Sequence, residues 1–105
     1  MNNLKVWNLA SSRSGRPVCN QYAINEGGVY YFQSYDSVCA MWYYNAERRE
    51  RVLKLGYYWD YSRTTLKYFR EWGREVGCSI RATASTKEIR DAIKDGRIEY
   101  DEEFF

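Results

Sequence analysis

The sequence predicts one α+β domain, in which an antiparallel sheet of four to five strands carries two packed helices. Short runs in the first half alternate apolar and polar residues, as strands with one buried face do. Two segments in the second half repeat apolar residues every three or four positions, which is helical spacing. With 105 residues, the chain has room for one hydrophobic core and no separate catalytic lobe.

The first strand is predicted over Leu4–Leu9, where the alternation suits a strand at the edge of the sheet. A loop is expected at residues 11–17, because serine, glycine and the only proline of the chain cluster there. This loop would present Arg13 and Arg16 to solvent.

Two further strands are expected over Val18–Ile24 and Val29–Tyr35. The intervening Asn-Glu-Gly-Gly, residues 25–28, supplies residues that tolerate the positive φ angles of a tight hairpin. These two strands are therefore predicted to pair with each other.

Residues 37–55 allow two interpretations. The aromatic run Trp42–Tyr44 favours strands, and a second hairpin would pair Val38–Tyr44 with Arg51–Leu55. The Glu, Arg and Ala residues of the segment favour a single helix instead. The hairpin is the preferred prediction, and the helix is the alternative.

An amphipathic helix is predicted to begin near Ser62. Asp60 and Ser62 are both N-cap candidates, because a short side-chain oxygen can accept a hydrogen bond from the unpaired N–H groups of the first turn. Either Gly73 or Gly77 should end the helix. The face expected to pack on the sheet comprises Leu66, Phe69, Trp72 and Val76.

A second helix is predicted over Thr86–Asp95. Ser85 and Glu88 form a capping-box pattern, in which each side chain accepts a hydrogen bond from the backbone N–H of the other residue. Gly96 should stop this helix, and Arg97–Tyr100 can then add a short strand.

The cysteines indicate neither a disulfide framework nor a zinc site, because Cys19, Cys39 and Cys78 are far apart and never in a C-x-x-C spacing. No run approaches the roughly 20 apolar residues of a membrane span. We therefore expect a cytoplasmic protein that holds no metal and no cofactor and contacts no membrane.

The sequence contains no histidine, which excludes Ser/His/Asp and Cys/His catalysis and removes the usual general base. Glu47 with Glu50, and the acidic residues 101–103, remain as carboxylate clusters. Both are expected to be solvated, without the raised pKa that acid–base catalysis needs. The protein is therefore predicted not to be an enzyme.

A partner-binding surface is predicted around the helix that begins near Ser62. Its basic residues lie opposite its apolar face and could combine with arginines of the second hairpin and with aromatic residues before the helix. The simpler interpretation is a solvated helix face, with Lys67 and Arg74 partly neutralised by Glu71. The candidate residues are Arg63, Lys67, Arg70, Arg74, Arg48, Arg49, Arg51, Tyr58 and Trp59.

A protein or ribonucleoprotein partner is favoured over a nucleic acid, because the net charge is only +2 and Tyr, Trp and Arg dominate interface hot spots. Two alternatives stay open, namely a single-stranded nucleic-acid binder and a sponge that holds a nucleotide signal between aromatic rings. The aromatic strand Tyr30–Phe32 could also stack bases, although the core needs at least one of its faces.

Three motifs occur along the chain: S-G-R-P-V-C-N-Q at residues 14–21, Y-F-Q-S-Y at residues 31–35 and W-D-Y-S-R-T-T-L-K at residues 59–67. They resemble the S-G-x-P-V-x-N-Q, Y-F-Q-S-Y and W-D-Y-S-x-T-T-x-K features of a family of short, uncharacterised phage and mobile-element proteins. The resemblance implies a phage origin and no activity. We therefore predict a non-enzymatic phage accessory protein that binds and inhibits a host macromolecule, as an anti-defence protein of the anti-CRISPR type.

Overall fold

The computed structural model describes residues 4–11, 13–78 and 85–103, so Ser12 of the predicted loop lies outside the described residues. The elements in chain order are β1 (Leu4–Ala10), β2 (Pro17–Glu26), β3 (Val29–Ser34), β4 (Ser37–Asn45), β5 (Glu50–Gly56), α1 (Arg63–Val76), α2 (Thr86–Lys94) and β6 (Glu99–Asp101). The α+β prediction is confirmed. The described sheet holds six strands, where four to five were expected.

The strands lie in the sheet in the order in which they occur in the chain. β1 to β5 pair antiparallel, whereas β6 pairs parallel with β5. A parallel neighbour requires a crossover connection, which α1 and α2 supply here. The sheet is therefore mixed at one edge, whereas the sequence predicted an antiparallel sheet.

Residues 37–55 form the hairpin β4–β5 and not a helix. Ala40 pairs with Leu55 and Trp42 with Leu53, and all four side chains are buried. Burial of this aliphatic and aromatic face outweighs the helix propensity of the charged residues, which lie in and beside the turn.

The first turn of α1 is hydrogen-bonded to the sheet. The Ser62 hydroxyl caps the helix by accepting a hydrogen bond from the Thr65 backbone N–H at 3.1 Å. The Thr65 hydroxyl lies 3.0 Å from the Ser34 hydroxyl, so the first turn is hydrogen-bonded to the end of β3. The helix ends at Gly77, whose φ of 74° costs glycine little, while Gly73 lies inside the helix.

The core lies between the helices and one face of the sheet. Phe32 of β3 contacts Phe69 and Trp72 of α1, with ring centroids 6.2 and 6.1 Å away, and all three side chains are fully buried. Ile89 and Ala92 of α2 belong to the same core. Both helices therefore pack on the same side of the sheet, as predicted.

The buried face of α1 is wider than the predicted one. Thr65, Tyr68 and Gly73 are buried together with Phe69 and Trp72. The other two predicted core residues, Leu66 and Val76, are half-buried and pack against the core. The orientation of the helix is thus as expected.

The opposite face of the sheet is covered by neither helix. Val6 pairs with Ile24, Ile24 with Tyr31, and Tyr31 with Met41, so these four residues form one row across β1 to β4. Each of the four has a neighbour in its strand that packs in or against the core, and successive side chains of a strand point to opposite faces. We call this row the open sheet face.

Candidate functional site

Three tyrosines are exposed in the connection between β5 and α1. Tyr57, Tyr58 and Tyr61 are 58, 43 and 73% exposed. Their rings meet edge to face, with centroids 5.0 Å apart for the first pair and 5.5 Å for Tyr58 and Tyr61. Edge-to-face contacts are favourable for aromatic pairs, so this tyrosine cluster presents a continuous aromatic surface.

A cleft lies on each side of the tyrosine cluster. The larger one has a volume of about 460 Å³ and lies between the cluster, α2 and β6. The smaller one has a volume of about 320 Å³ and lies between the cluster and the β3–β4 turn. We call them the α2 cleft and the turn cleft. Tyr61 lines both of them and therefore forms part of the wall between them.

Asp60 does not cap α1, because its carboxylate binds α2 instead. The Arg90 guanidinium donates a hydrogen bond to this carboxylate, with 2.6 Å between Nη2 and Oδ2. A pair this accessible contributes at most about 1 kcal/mol to stability. Its effect is to join the β5–α1 connection to α2, and both residues line the α2 cleft.

Of the two predicted aromatic contact residues, only Tyr58 is accessible. Trp59 is 4% exposed, and its ring packs against Phe69 with 5.9 Å between centroids. Trp59 therefore offers no ring face to a macromolecular partner. Tyr57 and Tyr61 do offer exposed rings. The sequence interpretation did not assign either residue to the site, although both lie close to the predicted Tyr58 in the chain.

The basic stripe of α1 lies opposite its buried face, and three of its four residues are exposed. The stripe comprises Arg63, Lys67, Arg70 and Arg74, of which Arg70 is half-buried. The Lys67 ammonium lies 5.3 Å from the centre of the Tyr68 ring. Glu71 pairs with Arg74 at 3.8 Å, so the predicted neutralisation is found at that arginine.

The tyrosine cluster and the basic stripe meet at the start of α1. Tyr61 and Arg63 are two residues apart, so their Cα atoms are separated by at most about 7 Å. The β1–β2 loop, with Arg13 and Arg16, lies at the same end of the sheet as this helix start. Aromatic and cationic side chains are therefore concentrated at this end.

The arginines of the β4–β5 turn lie at the other end of the sheet. The Arg51 guanidinium is 3.4 Å from the Gly28 carbonyl oxygen in the β2–β3 turn, and Arg48 pairs with Glu50 at 2.8 Å. β4 separates this turn from the start of α1 by nine residues, roughly 25 to 30 Å. Arg48, Arg49 and Arg51 thus form a separate basic group, and the structure does not join them to the start of the basic stripe.

The open sheet face is a further accessible apolar surface. Val6 is 57% exposed, and the other three residues of the row are half-buried. Within the predicted aromatic strand, Tyr31 lies on this face, whereas Tyr30 and Phe32 point to the core side. The sequence interpretation did not assign this face, because alternation alone leaves open whether a second layer covers it.

The Cys39 thiol borders the turn cleft and is fully buried. Burial raises the pKa of this thiol from 9.0 to about 11, and a backbone hydrogen bond from Ser34 opposes the shift in part. Little thiolate is therefore present at neutral pH, and the site does not activate Cys39 as a nucleophile. Among the described residues, no group of three or more His, Cys, Asp and Glu side chains is placed to hold a metal ion.

We expect Cys39 to make the fold less stable as the pH rises above 9. The thiol ionises near pH 9.0 in the unfolded chain and near 11 in the folded chain, so the unfolded state loses its proton first. This difference should remove about 2 to 3 kcal/mol of unfolding free energy between those two pH values. Urea unfolding of the parent and of Cys39→Ala across this range measures it. Equal pH slopes in the two proteins would contradict the assignment.

The fold and the site define a small two-layer α+β domain with an exposed aromatic surface at one end of its sheet. Residues 4–95 match the model of a family of unknown function, DUF8033, and the chain belongs to that family. No curated protein and no solved structure matches the chain. No helix within the described residues is both long and apolar enough to cross a membrane.

Proposed function

We propose that the protein is a non-enzymatic phage accessory protein that binds a host protein or ribonucleoprotein complex and inhibits it, as anti-CRISPR proteins do. The observation that carries the binding role is the tyrosine cluster, whose rings are exposed and in contact with one another. The phage origin is supported by the motifs at residues 14–21, 31–35 and 59–67. The proposed place of action is the cytoplasm of the host cell.

Exposed tyrosines beside cations favour a protein partner. Tyr and Arg are enriched among the residues that dominate interface energies, because each buries a large area and keeps a polar group for hydrogen bonding. The basic stripe continues from the tyrosine cluster along α1, a helix of 14 residues and about 21 Å. An acidic surface of that length on the partner would be attracted to the stripe while an apolar contact forms at the tyrosines.

Retention of a host complex tests this function. The tagged full chain is incubated with lysates of bacterial hosts, with and without nuclease treatment. We expect stoichiometric retention of one complex that survives nuclease treatment, and loss of activity of the purified complex on binding. Retention that needs intact nucleic acid and falls steeply with salt would instead support a single-stranded nucleic-acid binder. No retention, or a bound complex with full activity, would contradict the proposal.

Reversing the charge of the basic stripe at its start should weaken this binding. For the double variant Arg63→Glu, Lys67→Glu we expect at least a roughly tenfold loss of affinity, mainly through a slower and less salt-dependent association rate. Both side chains are exposed, so the helix should keep its fold, which circular dichroism can verify. Association kinetics with the purified host complex measure the effect.

The matched control reverses two arginines of the β4–β5 turn, Arg48→Glu and Arg49→Glu. It changes the net charge by the same amount at the other end of the sheet. We expect it to retain the parent affinity at physiological salt, where charges beyond about 8 Å are largely screened. An equal loss in both double variants would show an effect of net charge alone and would refute the assigned surface.

A further inference from the structure

The α2 cleft has the size and composition of a small-molecule site. Its volume of about 460 Å³ lies within the roughly 300 to 1,000 Å³ of typical ligand pockets. Its lining combines aromatic rings, an aliphatic side chain and charged groups from three different elements. The residues used in the following argument are Tyr57, Tyr61, Tyr100, Ile93, Arg90 and Lys94.

The aromatic part of the cleft can hold a planar ring. Tyr57, Tyr61 and Tyr100 are 58, 73 and 40% exposed, so none of the three rings is enclosed by the protein. All three tyrosines line the same cleft. Burial and then the nearby Glu102 raise the pKa of Tyr100, and Tyr57 and Asp60 add to the shift. The tyrosines therefore border one space, and accessible rings are what a stacked base requires.

The charged part of the cleft can hold an anion. α2 contributes Arg90 and Lys94, and the connection before α1 contributes the single carboxylate Asp60. That carboxylate engages one nitrogen of Arg90, whose guanidinium has five N–H donors in all. Lys94 forms no direct ion pair among the described residues, and the nearby Asp91 carboxylate pairs with Lys87. The lining itself therefore holds two cations against one carboxylate, and Glu102 lies near its Tyr100 edge, away from α2 in the chain.

We propose that the α2 cleft binds a nucleotide, with the base against the tyrosine rings and a phosphate at Lys94 and the remaining N–H groups of Arg90. A planar ring joined to an anion matches this lining, in which tyrosine rings stand beside the cationic groups of Arg90 and Lys94. The α2 cleft shares Tyr57 and Tyr61 with the tyrosine cluster. Lys94 and Tyr100 belong neither to that cluster nor to the basic stripe, so variants at these two residues test the nucleotide site separately from the proposed host partner.

Titration of the full chain with AMP, GMP, CMP and UMP tests the inference. The four matching nucleosides and inorganic phosphate serve as probes of the two halves of the site, and isothermal calorimetry reports binding. We expect at least one mononucleotide to bind saturably with a Kd below about 1 mM, and the matching nucleoside to bind roughly tenfold more weakly. Absence of saturable binding by all four mononucleotides would overturn the proposal.

Two substitutions test the phosphate contact and the stacking contact separately. Lys94→Gln should remove the advantage of the nucleotide over the nucleoside, and Tyr100→Leu should weaken both by roughly tenfold through lost stacking. Lys87→Gln on the same helix is the matched control, since Lys87 pairs with Asp91 outside the cleft, and it should bind as the parent does. Parent-like nucleotide affinity in Lys94→Gln would overturn the site. Retention of a host complex by Lys94→Gln would leave the proposed function intact in either case.

Discussion

Replacing Trp72 by alanine should lower the free energy of unfolding by about 3 to 5 kcal/mol, the largest loss that we expect from any single substitution. Its side chain is fully buried and lies 6.1 Å from the ring centroids of both Phe32 and Phe69. Truncation would leave a cavity where α1 contacts β3, and close-packed neighbours fill such a space only in part. Urea or thermal unfolding measures the change.

The matched control for this substitution is Trp72→Phe. The indole N–H of Trp72 is buried and has no hydrogen-bond partner among the described residues, so phenylalanine removes volume without breaking a hydrogen bond. We expect it to cost less than half as much as alanine. A Trp72→Ala protein within about 1 kcal/mol of the parent would show that this ring does not anchor the helix to the sheet.

Replacing Tyr58 by alanine should weaken binding of the host partner by roughly 30-fold or more, which corresponds to about 2 kcal/mol. Its ring stands between those of Tyr57 and Tyr61, in edge-to-face contact with both. The substitution therefore removes the central ring and frees its two neighbours to move. Because the side chain is 43% exposed, the stability of the fold should change little.

Tyr44→Ala is the matched control, because Tyr44 is 56% exposed at the end of β4 distant from the tyrosine cluster. It should leave the affinity unchanged. A third variant, Val6→Asp, places a charge on the open sheet face. Calorimetry with the purified host complex compares all three. If Val6→Asp abolishes binding while Tyr58→Ala does not, the partner binds the open sheet face, and the assigned surface is wrong.

Local sequence patterns predicted most elements of this fold. The glycine turn between β2 and β3 and the capping box at Ser85 and Glu88 were recognisable because the residues that cause them are neighbours in the chain. The packing face of α1 followed from helical spacing alone. For the candidate site, the sequence predicted Tyr58 and the basic stripe, but not Tyr57, Tyr61 or the α2 cleft, whose lining comes from segments about 30 to 40 residues apart.

Asp60 shows the limit of such patterns. Beside Ser62 it is an equally good N-cap by residue type, and only the position of Arg90, thirty residues later, draws its carboxylate to α2. The arginines around residue 50 show the same limit. The stripe and the turn are both positively charged, and only the length and direction of β4 decide whether they lie in one patch or at opposite ends of the sheet.

The sequence by itself therefore determined the α+β class, the β2–β3 hairpin and the packing face of α1, because each depends on residues within a few positions of one another. Only the tertiary structure decided the parallel pairing of β6, the open sheet face and the separation of the two basic groups. These features depend on which distant segments come into contact. Burial of the whole core decides those contacts, and no single segment contains enough information to predict them.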